Sequence, residues 1–160
     1  MKPVIRAAVF SDTHGNTGAM IEAIRRYRPD VVIHLGDMER DVEPIRREFA
    51  DTAVYNVCGN CDLFGMAPEK DLVPLGPVKA FITHGHLYNV KWGDTMSLAY
   101  AAQEADAQMA LFGHTHEALN EEMGSIRLIN PGTAGQGRIL TWAKIEVFEN
   151  GGFSSEILPL

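Results

Sequence analysis

Five short segments of the sequence carry side chains of the kinds that bind divalent metal ions, each close to a glycine. The segments are SDTHGN, LGDME, CGNCD, THGH and FGHTH, and the residues are Asp12, His14, Asp37, Asn60, His84, His114 and His116. Imidazole and carboxylate groups suit Zn, Mn, Fe or Ni and require no thiolate. Two such ions about 3.5–4 Å apart form a clamp that hydrolyses phosphate esters. We therefore expect a pair of metal ions, with Asp37 as the carboxylate that bridges them.

The combination of segments is more informative than any one of them. A single D-x-H or H-x-H spacing is a common accident, and a lone histidine is more often structural than metal-binding. Five of the six histidines of the chain lie in these segments. Histidines without a shared role would be scattered over helices and the C-terminal third. The sixth, His34, lies within a predicted strand, where we expect a packed and hydrogen-bonded ring.

Each segment follows a predicted strand. Apolar runs predict buried strands over 3–10, 31–35, 52–57, 79–83 and 108–112, and helical spacing predicts helices near 17–27, 41–49 and 95–105. In open α/β sheets the ligand crevice lies outside the carboxyl ends of the strands. The metal-type side chains should therefore converge from five loops, and the glycines beside them allow the sharp turns that aim them inward.

The last third of the chain has a different pattern. Strand-like runs cover 125–130, 138–148 and 153–160, with a hairpin turn at Asn150-Gly151-Gly152, while a further short strand is expected earlier in the chain, at 71–75. A βαβ pattern followed by antiparallel strands predicts an α/β sandwich whose second sheet comes mostly from the C-terminal segment. The 160 residues, 46% of them hydrophobic, are expected to form one domain over 1–160.

The only two cysteines form a C-x-x-C pair, Cys58 and Cys61. A structural zinc site normally has four ligands, and here there is no second pair. A redox motif would open a helix after a strand, and no helical pattern follows Cys61. The simpler interpretation is that Cys58 is a small apolar residue near a strand end.

Charge and composition exclude several classes of protein. The net charge is −7 without a Lys/Arg cluster, so we expect neither a general nucleic-acid coat protein nor a membrane-surface binder. No run of about 18 apolar residues predicts a membrane span, and the start lacks a signal-peptide cleavage site. Two cysteines in a leaderless chain are typical of a cytoplasmic protein.

The order SDTHGN, GD, GNCD, THGH and GHTH resembles that of the calcineurin-like metallophosphoesterase superfamily. The chain is similar in particular to its small, single-domain bacterial and archaeal phosphodiesterases, from Ser11 through NPGT at 130–133. The resemblance implies an α/β fold, a four-layer αββα sandwich of two mixed β-sheets flanked by helices.

The resemblance also implies a ligand set. By position, Asp12, His14 and His116 would hold one ion, Asn60, His84 and His114 the other, and Asp37 would bridge them. Asn60 would thus be the important residue of the C-x-x-C segment. Cys61 stands where many larger relatives have a histidine thought to assist the leaving group, so the general acid stays unassigned.

The implied activity is hydrolysis of a phosphodiester by in-line attack of a metal-bridging hydroxide, with Asp37, Asn60 and His84 as catalytic residues. Asn16, Asn60 and His86 are expected to contact the substrate, although His86 is equally compatible with a ligand-orienting role or a surface loop. Manganese is the first choice of metal, with Ni, Zn, Fe or Co as alternatives. We expect a small phosphodiester or nucleotide-like substrate and a homodimer or homotetramer. The alternative is a non-catalytic metal-binding scaffold like the retromer subunit of the same fold.

Overall fold

The first sheet is built around three parallel strands. The computed structural model describes residues 1–160. Strand β1 (Ile5–Phe10) pairs in parallel with β2 (Val31–His34), and β2 pairs in parallel with β3 (Ala53–Asn56). Residues 7–10, AAVF, are fully buried, as expected of a continuous apolar run covered on both faces.

The second sheet contains β4 (Lys70–Leu75), β5 (Val78–Thr83), β6 (Met109–Leu111), β7 (Leu119–Met123) and β8 (Ile126–Asn130), in the order β4-β5-β6-β8-β7. Strands β5, β6 and β8 are parallel, whereas β4 and β7 pair antiparallel at the two edges. The second sheet is therefore mixed, as the family resemblance implies for both sheets.

The C-terminal strands do not supply most of the second sheet, and this prediction was wrong. Strand β9 (Thr141–Val147) pairs antiparallel with β1, and β10 (Phe153–Pro159) pairs with β9, so both extend the first sheet in the order β10-β9-β1-β2-β3. Strand β9 is apolar on its inner face, where Ala143, Ile145 and Val147 face the second sheet, and on its outer face Trp142 packs under the helices beside the ion-paired Lys144 and Glu146. It therefore fits an interior position beside β1.

Three separate hydrophobic clusters give the molecule four layers. The largest lies between the sheets and includes Val9, Ile33, Ile82 and Leu111. Helices α1 (Gly18–Tyr27) and α2 (Glu43–Glu48) cover the outer face of the first sheet, and α3 (Met96–Glu104) covers that of the second. The four-layer αββα arrangement is confirmed.

Strand β1 shows how alternation assigns residues to layers. Ala7 and Val9 belong to the cluster between the sheets, while Ala8 and Phe10 belong to the cluster under α1 and α2. Successive side chains of a strand point to opposite faces. Phe10 stacks on Trp142 with ring centroids 5.6 Å apart, which ties β1 to β9 directly before the SDTHGN loop.

One predicted element differs in detail, and one observed strand was not predicted. The helix near 41–49 is a 3₁₀ turn over Glu39–Val42 followed by α2, and β7 was not predicted. No helix of the chain has both the length and the apolar character needed to cross a bilayer.

Candidate metal centre

Backbone hydrogen bonds join the loops that follow the strands. The Asp12 N–H donates to Gly36 O and the His14 N–H to Asp37 O, both at 3.0 Å. In the second sheet the Gly113 N–H donates to His84 O at 2.8 Å. The loops therefore support one another at the carboxyl ends of the parallel strands, where the sequence predicts convergence.

Candidate ligands occupy most of the strained backbone positions. Eight non-glycine residues have positive φ, and five of them are candidate ligands: Asp12 (56°), His14 (47°), Asp37 (47°), His114 (70°) and His116 (64°). The other three border helical segments. Each such residue costs about 1–3 kcal/mol and persists only where its surroundings hold it. The concentration of strain indicates a functional centre.

Two glycines are required here by close approach. A Cβ on Gly59 would lie 2.0 Å from Asp37 Oδ1, and a Cβ on Gly113 would lie 2.0 Å from Ser11 Oγ and 2.8 Å from Asp12 Oδ2. Neither residue has positive φ. The glycines of CGNCD and FGHTH thus make room for the carboxylates, in addition to any effect on turns.

Asp12 lies at the meeting point of the histidines. Its Oδ1 is 3.2 Å from His116 Nε2, 3.8 Å from His14 Nε2 and 3.9 Å from His84 Nε2. Two sets of side chains have ligand atoms close enough to hold a cation, and both contain Asp12: Asp12, His14 and His116 form one, and Asp12, Asp37 and His84 the other.

Asp37 lies between histidines of the two predicted ions. Its Oδ2 is 3.3 Å from His84 Nε2 and 3.9 Å from His14 Nε2, while its Oδ1 accepts the Cys61 N–H at 2.9 Å. This position is compatible with a bridging carboxylate. Because Asp12 is the residue common to both sets, the assignment of the bridge to Asp37 stays a prediction.

Three buried polar atoms of the centre have no hydrogen-bond partner: Asp12 Oδ1, His14 Nε2 and His84 Nε2. Buried polar atoms are normally paired, because leaving one unpaired costs about 1–3 kcal/mol. All three belong to the converging sets. A carboxylate oxygen and two ring nitrogens that face one another suit divalent cations, so the residues present fit the metal ions that the sequence implies.

The tautomer of His84 follows from its other ring nitrogen. Nδ1 lies 2.7 Å from Leu35 O, which can only accept, so Nδ1 carries the proton. The neutral ring then presents the lone pair of Nε2 to the centre, in the manner of many metal-binding histidines. Leu35 follows β2 and His84 follows β5, so this bond also links the two sheets.

The two carboxylates and His84 perturb one another. Burial opposes ionisation of Asp37, but its contact with His84 and the Cys61 N–H outweigh burial and hold the pKa of Asp37 well below its usual range. Burial likewise lowers the pKa of His84, but Asp37 and Asp12 reverse this and raise it. The centre therefore favours a positive charge at this point, which a metal ion would supply in place of the proton.

His114 packs against this group. Its ring centroid is 5.0 Å from that of His84, and its N–H donates to Asp12 Oδ2 at 3.2 Å. Burial, with a smaller contribution from His84, lowers the pKa of His114 to about 4. A neutral imidazole is the form that binds metal, so His114 is suitable as a ligand.

The remaining predicted residues lie around the edge. Asn60 is exposed and its amide nitrogen is 3.7 Å from Cys61 Sγ. The side-chain amide of Asn16 donates a hydrogen bond to Gly135 O at 3.0 Å. The His86 ring is 5.5 Å from that of His84, and its Nδ1 is buried without a partner. Their assigned roles stay predictions.

Several supporting residues were missed from the sequence. The Asp62 carboxylate accepts the N–H groups of Gly59, Asp37 and Glu39 at 2.7, 3.0 and 3.0 Å. Ser11 Oγ donates to Asp12 Oδ2 at 2.6 Å, and Asn130 donates to Gly113 O at 3.1 Å. Ser11 lies inside SDTHGN and Asp62 inside CGNCD. Their place within these segments is the sequence feature that could have identified them as supporting residues. In the NPGT segment, Thr133 Oγ1 donates to Asp12 O at 3.1 Å.

Both cysteines are free thiols. Burial and the nearby Asp37 raise the pKa of Cys61 above its ordinary value. Cys61 is therefore protonated near neutral pH and is a poor nucleophile. Its backbone N–H, which binds Asp37, is the part that the structure places at the centre.

Comparison with known proteins agrees with this geometry. The family model for the calcineurin-like phosphoesterase superfamily domain matches residues 5–147. The probable metallophosphoesterase YsnB of Bacillus subtilis is 33% identical over 128 residues, which are 78% of this chain and 72% of that protein. The crystal structure of a predicted phosphoesterase from Streptococcus pneumoniae is 28% identical, covers 98% of each chain and has a TM-score of 0.77.

A structure of Vps29 from Entamoeba histolytica in complex with zinc is also similar, with a TM-score of 0.75 over 97% of this chain and 99% of that one. At 21% identity this likeness shows the fold alone. The family match, by contrast, spans every predicted ligand from Asp12 to His116. The chain belongs to the calcineurin-like phosphoesterase superfamily and is a metal-dependent phosphoesterase.

Proposed function

We propose that this protein is a binuclear-metal-dependent phosphodiesterase that hydrolyses a small phosphodiester or nucleotide-like substrate. The observation that carries the proposal is the set of buried, unpartnered atoms Asp12 Oδ1, His14 Nε2 and His84 Nε2, which face one another at the carboxyl ends of both sheets. Bound divalent ions would supply a water of lowered pKa as the nucleophile and would polarise the phosphate.

The side chains of the chain have separate tasks in this proposal. Asp12 and Asp37 provide negative charge, and the histidines provide neutral nitrogen donors around it. Asp37 is held in place from one side by the Cys61 N–H and is ionised at neutral pH. Asn16 and Asn60 stand at the exposed edge, where their amides can donate hydrogen bonds to a phosphate.

The charge around the centre favours a diester over a monoester. None of the ion pairs made by lysine or arginine involves Asp12 or Asp37. A phosphodiester carries one negative charge and a monoester about two, so the diester requires less positive charge from the protein. The side chains of His14 and His116 keep 23% and 34% of their surface exposed, which leaves room for an organic group on phosphorus.

Hydrolysis of bis(p-nitrophenyl) phosphate and of p-nitrophenyl phosphate tests the proposal. With Mn, Ni, Co or Zn added to chelator-treated protein, we expect metal-stimulated release of nitrophenol, faster from the diester. The Asp37→Asn and His84→Ala variants should lose about a hundredfold or more in kcat/KM, because each removes a ligand of the catalytic ions.

Asp94→Asn is the matched control. Asp94 accepts the Met96 N–H at the start of α3, and asparagine serves equally well there, so activity should not change. Circular dichroism of each variant separates lost chemistry from lost fold. Faster hydrolysis of the monoester would contradict the diesterase proposal but not the family activity.

The scaffold alternative is tested by the same assay. A chain with the Vps29 fold can bind zinc, as the Entamoeba structure shows for that protein. Failure to hydrolyse either substrate with any of the four metals, together with stoichiometric metal binding, would favour a non-catalytic role. Sedimentation analysis would test the proposed homodimer or homotetramer.

A further inference from the structure

The loop after Asn60 presents large apolar side chains to solvent. Leu63, Phe64 and Met66 are 83%, 96% and 93% exposed, respectively. Isolated exposed apolar residues are ordinary, but a contiguous group of them marks a binding surface. Three such residues within a stretch of four, directly after a candidate metal ligand, therefore require a functional explanation.

The backbone of this loop is firmly held. Asp62 accepts the N–H groups of Gly59, Asp37 and Glu39 at 2.7–3.0 Å. The Glu39 carboxylate in turn accepts the Met66 N–H at 2.6 Å. Two carboxylates thus fix the loop on either side of Leu63 and Phe64, so the exposure of these side chains is a property of a fixed backbone.

The loop forms one wall of a cavity of about 280 Å³. Leu63 and Phe64 line it together with Met38, Arg40 and Cys61, and Met66 does not. Ligand pockets usually measure about 300–1,000 Å³. This cavity lies just below that range, so it has room for a single ring system rather than for a whole drug-sized ligand.

The cavity borders the metal centre through Cys61. The Cys61 N–H donates to Asp37 Oδ1 at 2.9 Å, and Asp37 Oδ2 is 3.3 Å from His84 Nε2. A substrate whose phosphorus lies at the centre could therefore place one of its organic groups beside Cys61, which lines the cavity.

We propose that this cavity, which we call the Phe64 subsite, binds an aromatic ring or nucleobase carried by one organic group of the phosphodiester. Phe64 and Arg40 both line this space, and an aromatic ring and a planar guanidinium are groups that stack on aromatic rings. Arg40 takes part in none of the ion pairs of the chain and is free for this contact. The proposal deepens the proposed function and depends on it for the position of phosphorus.

Calorimetric titration of the manganese-loaded protein with phenylphosphonate and with methylphosphonate tests the subsite. Neither compound is hydrolysed, and they differ only in the ring. We expect phenylphosphonate to bind about tenfold more tightly, since its ring can stack on the Phe64 ring. In Phe64→Ala the two should bind within about twofold of each other. Met66→Ala removes an equally exposed apolar side chain from the same loop outside the cavity and should keep the full preference.

Three results would overturn the subsite: equal binding of both compounds by the unmodified protein, no binding of either, or a phenyl preference that survives in Phe64→Ala. The competing explanation is that the loop contacts a second copy of the chain, and sedimentation of Phe64→Ala tests it. A lower oligomeric mass than that of the unmodified protein, together with an intact phenyl preference, would support that explanation. Diester hydrolysis is measured separately. Hydrolysis without a phenyl preference refutes the subsite alone, and a phenyl preference without hydrolysis refutes the proposed function alone.

Discussion

At the scale of single residues, His34 supports the centre without facing it. Its Nδ1 accepts the Gly36 N–H at 3.1 Å, so Nε2 carries the proton and donates to Thr13 Oγ1 at 2.9 Å. Thr13 in turn donates to Asp41 Oδ2 at 2.6 Å, and the same oxygen accepts the Gly15 N–H at 2.8 Å. The network therefore holds the residues on both sides of His14. The sequence predicted a packed, hydrogen-bonded ring at His34, and this is confirmed.

His34 should make stability depend on pH. Complete burial, opposed in part by Asp41, lowers the pKa of His34 to about 4, against about 6.5 in the unfolded chain. Between these values the unfolded chain binds the extra proton, so the free energy of unfolding falls as pH falls. From pH 7 to pH 5 the loss from this residue should be about 2 kcal/mol. Urea denaturation of the metal-free protein at the two pH values measures it.

His34→Gln provides the reference, because glutamine keeps polar atoms in the ring's place and does not titrate. The other titrating groups contribute to both proteins, so the difference between their pH dependences isolates His34. If the free energy of unfolding depended on pH equally in both proteins, His34 would accept a proton in the folded state as readily as in the unfolded chain.

At the scale of elements, the strands that carry the site were predictable and their arrangement was not. The predicted apolar runs 3–10, 31–35 and 108–112 end within one residue of the observed strand ends at Phe10, His34 and Leu111. The sequence therefore locates the loops that follow these strands. The order of strands depends on pairing between distant residues, as when β9 pairs with β1. Strand β7, LNEEM, is a polar edge strand held by pairing with β8 and has no alternating pattern to identify it.

Within the site, too, the metal-type side chains were predictable from the sequence, whereas their supporting contacts with distant residues were not. The types and spacing of Asp12, His14, Asp37, His84 and His116 predicted their convergence, because metal binding needs those groups. Asp41 and Asp62 were missed because their partners are backbone N–H groups, which every residue type has. Only the folded chain shows which of these groups an aspartate reaches.

Gly59 should be essential to the loops that follow the strands. In Gly59→Ala the new methyl group would displace the Asp37 carboxylate, whose Oδ1 would lie 2.0 Å from it, and it would also press on the Asp37 backbone nitrogen at 2.8 Å. We expect metal affinity and kcat/KM to fall about a hundredfold, since misplaced ligands bind and position poorly. Metal titration and the diester assay measure the two effects.

Gly18→Ala is the matched control for this substitution. Gly18 is the first residue of α1, has no positive φ, and has open space where the Cβ would be. Activity should be unchanged, and stability should rise by up to about 1 kcal/mol. Full activity in Gly59→Ala would mean that the Asp37 carboxylate does not need the position seen here.

At the scale of the whole molecule, the centre joins the two sheets. Asp12, His14 and Asp37 lie in loops of the first sheet, and His84, His114 and His116 lie in loops of the second. Between the sheets the contacts are otherwise mainly the apolar cluster. A cation held by both sets of loops would oppose separation of the sheets.

Metal removal should therefore lower thermal stability. An ion that binds only the folded protein stabilises it by about 2.7 kcal/mol at a concentration 100-fold above its Kd, or roughly 5–10 °C in Tm for a chain of this size. Differential scanning calorimetry with manganese and with chelator measures the shift.

The Asp37→Asn protein should show a much smaller shift, and Asp94→Asn should show the full one. An unchanged Tm in the unmodified protein at saturating manganese would mean that the ion binds the unfolded chain equally well, or that the six residues do not share it.

The left-handed backbone of five candidate ligands has a consequence for how ions are exchanged. Because the backbone N–H groups of four of them, Asp12, His14, Asp37 and His114, are hydrogen-bonded within the loops, the chain itself holds these ligands in position. Swapping one transition metal for another by dialysis should then proceed under native conditions, without a refolding step.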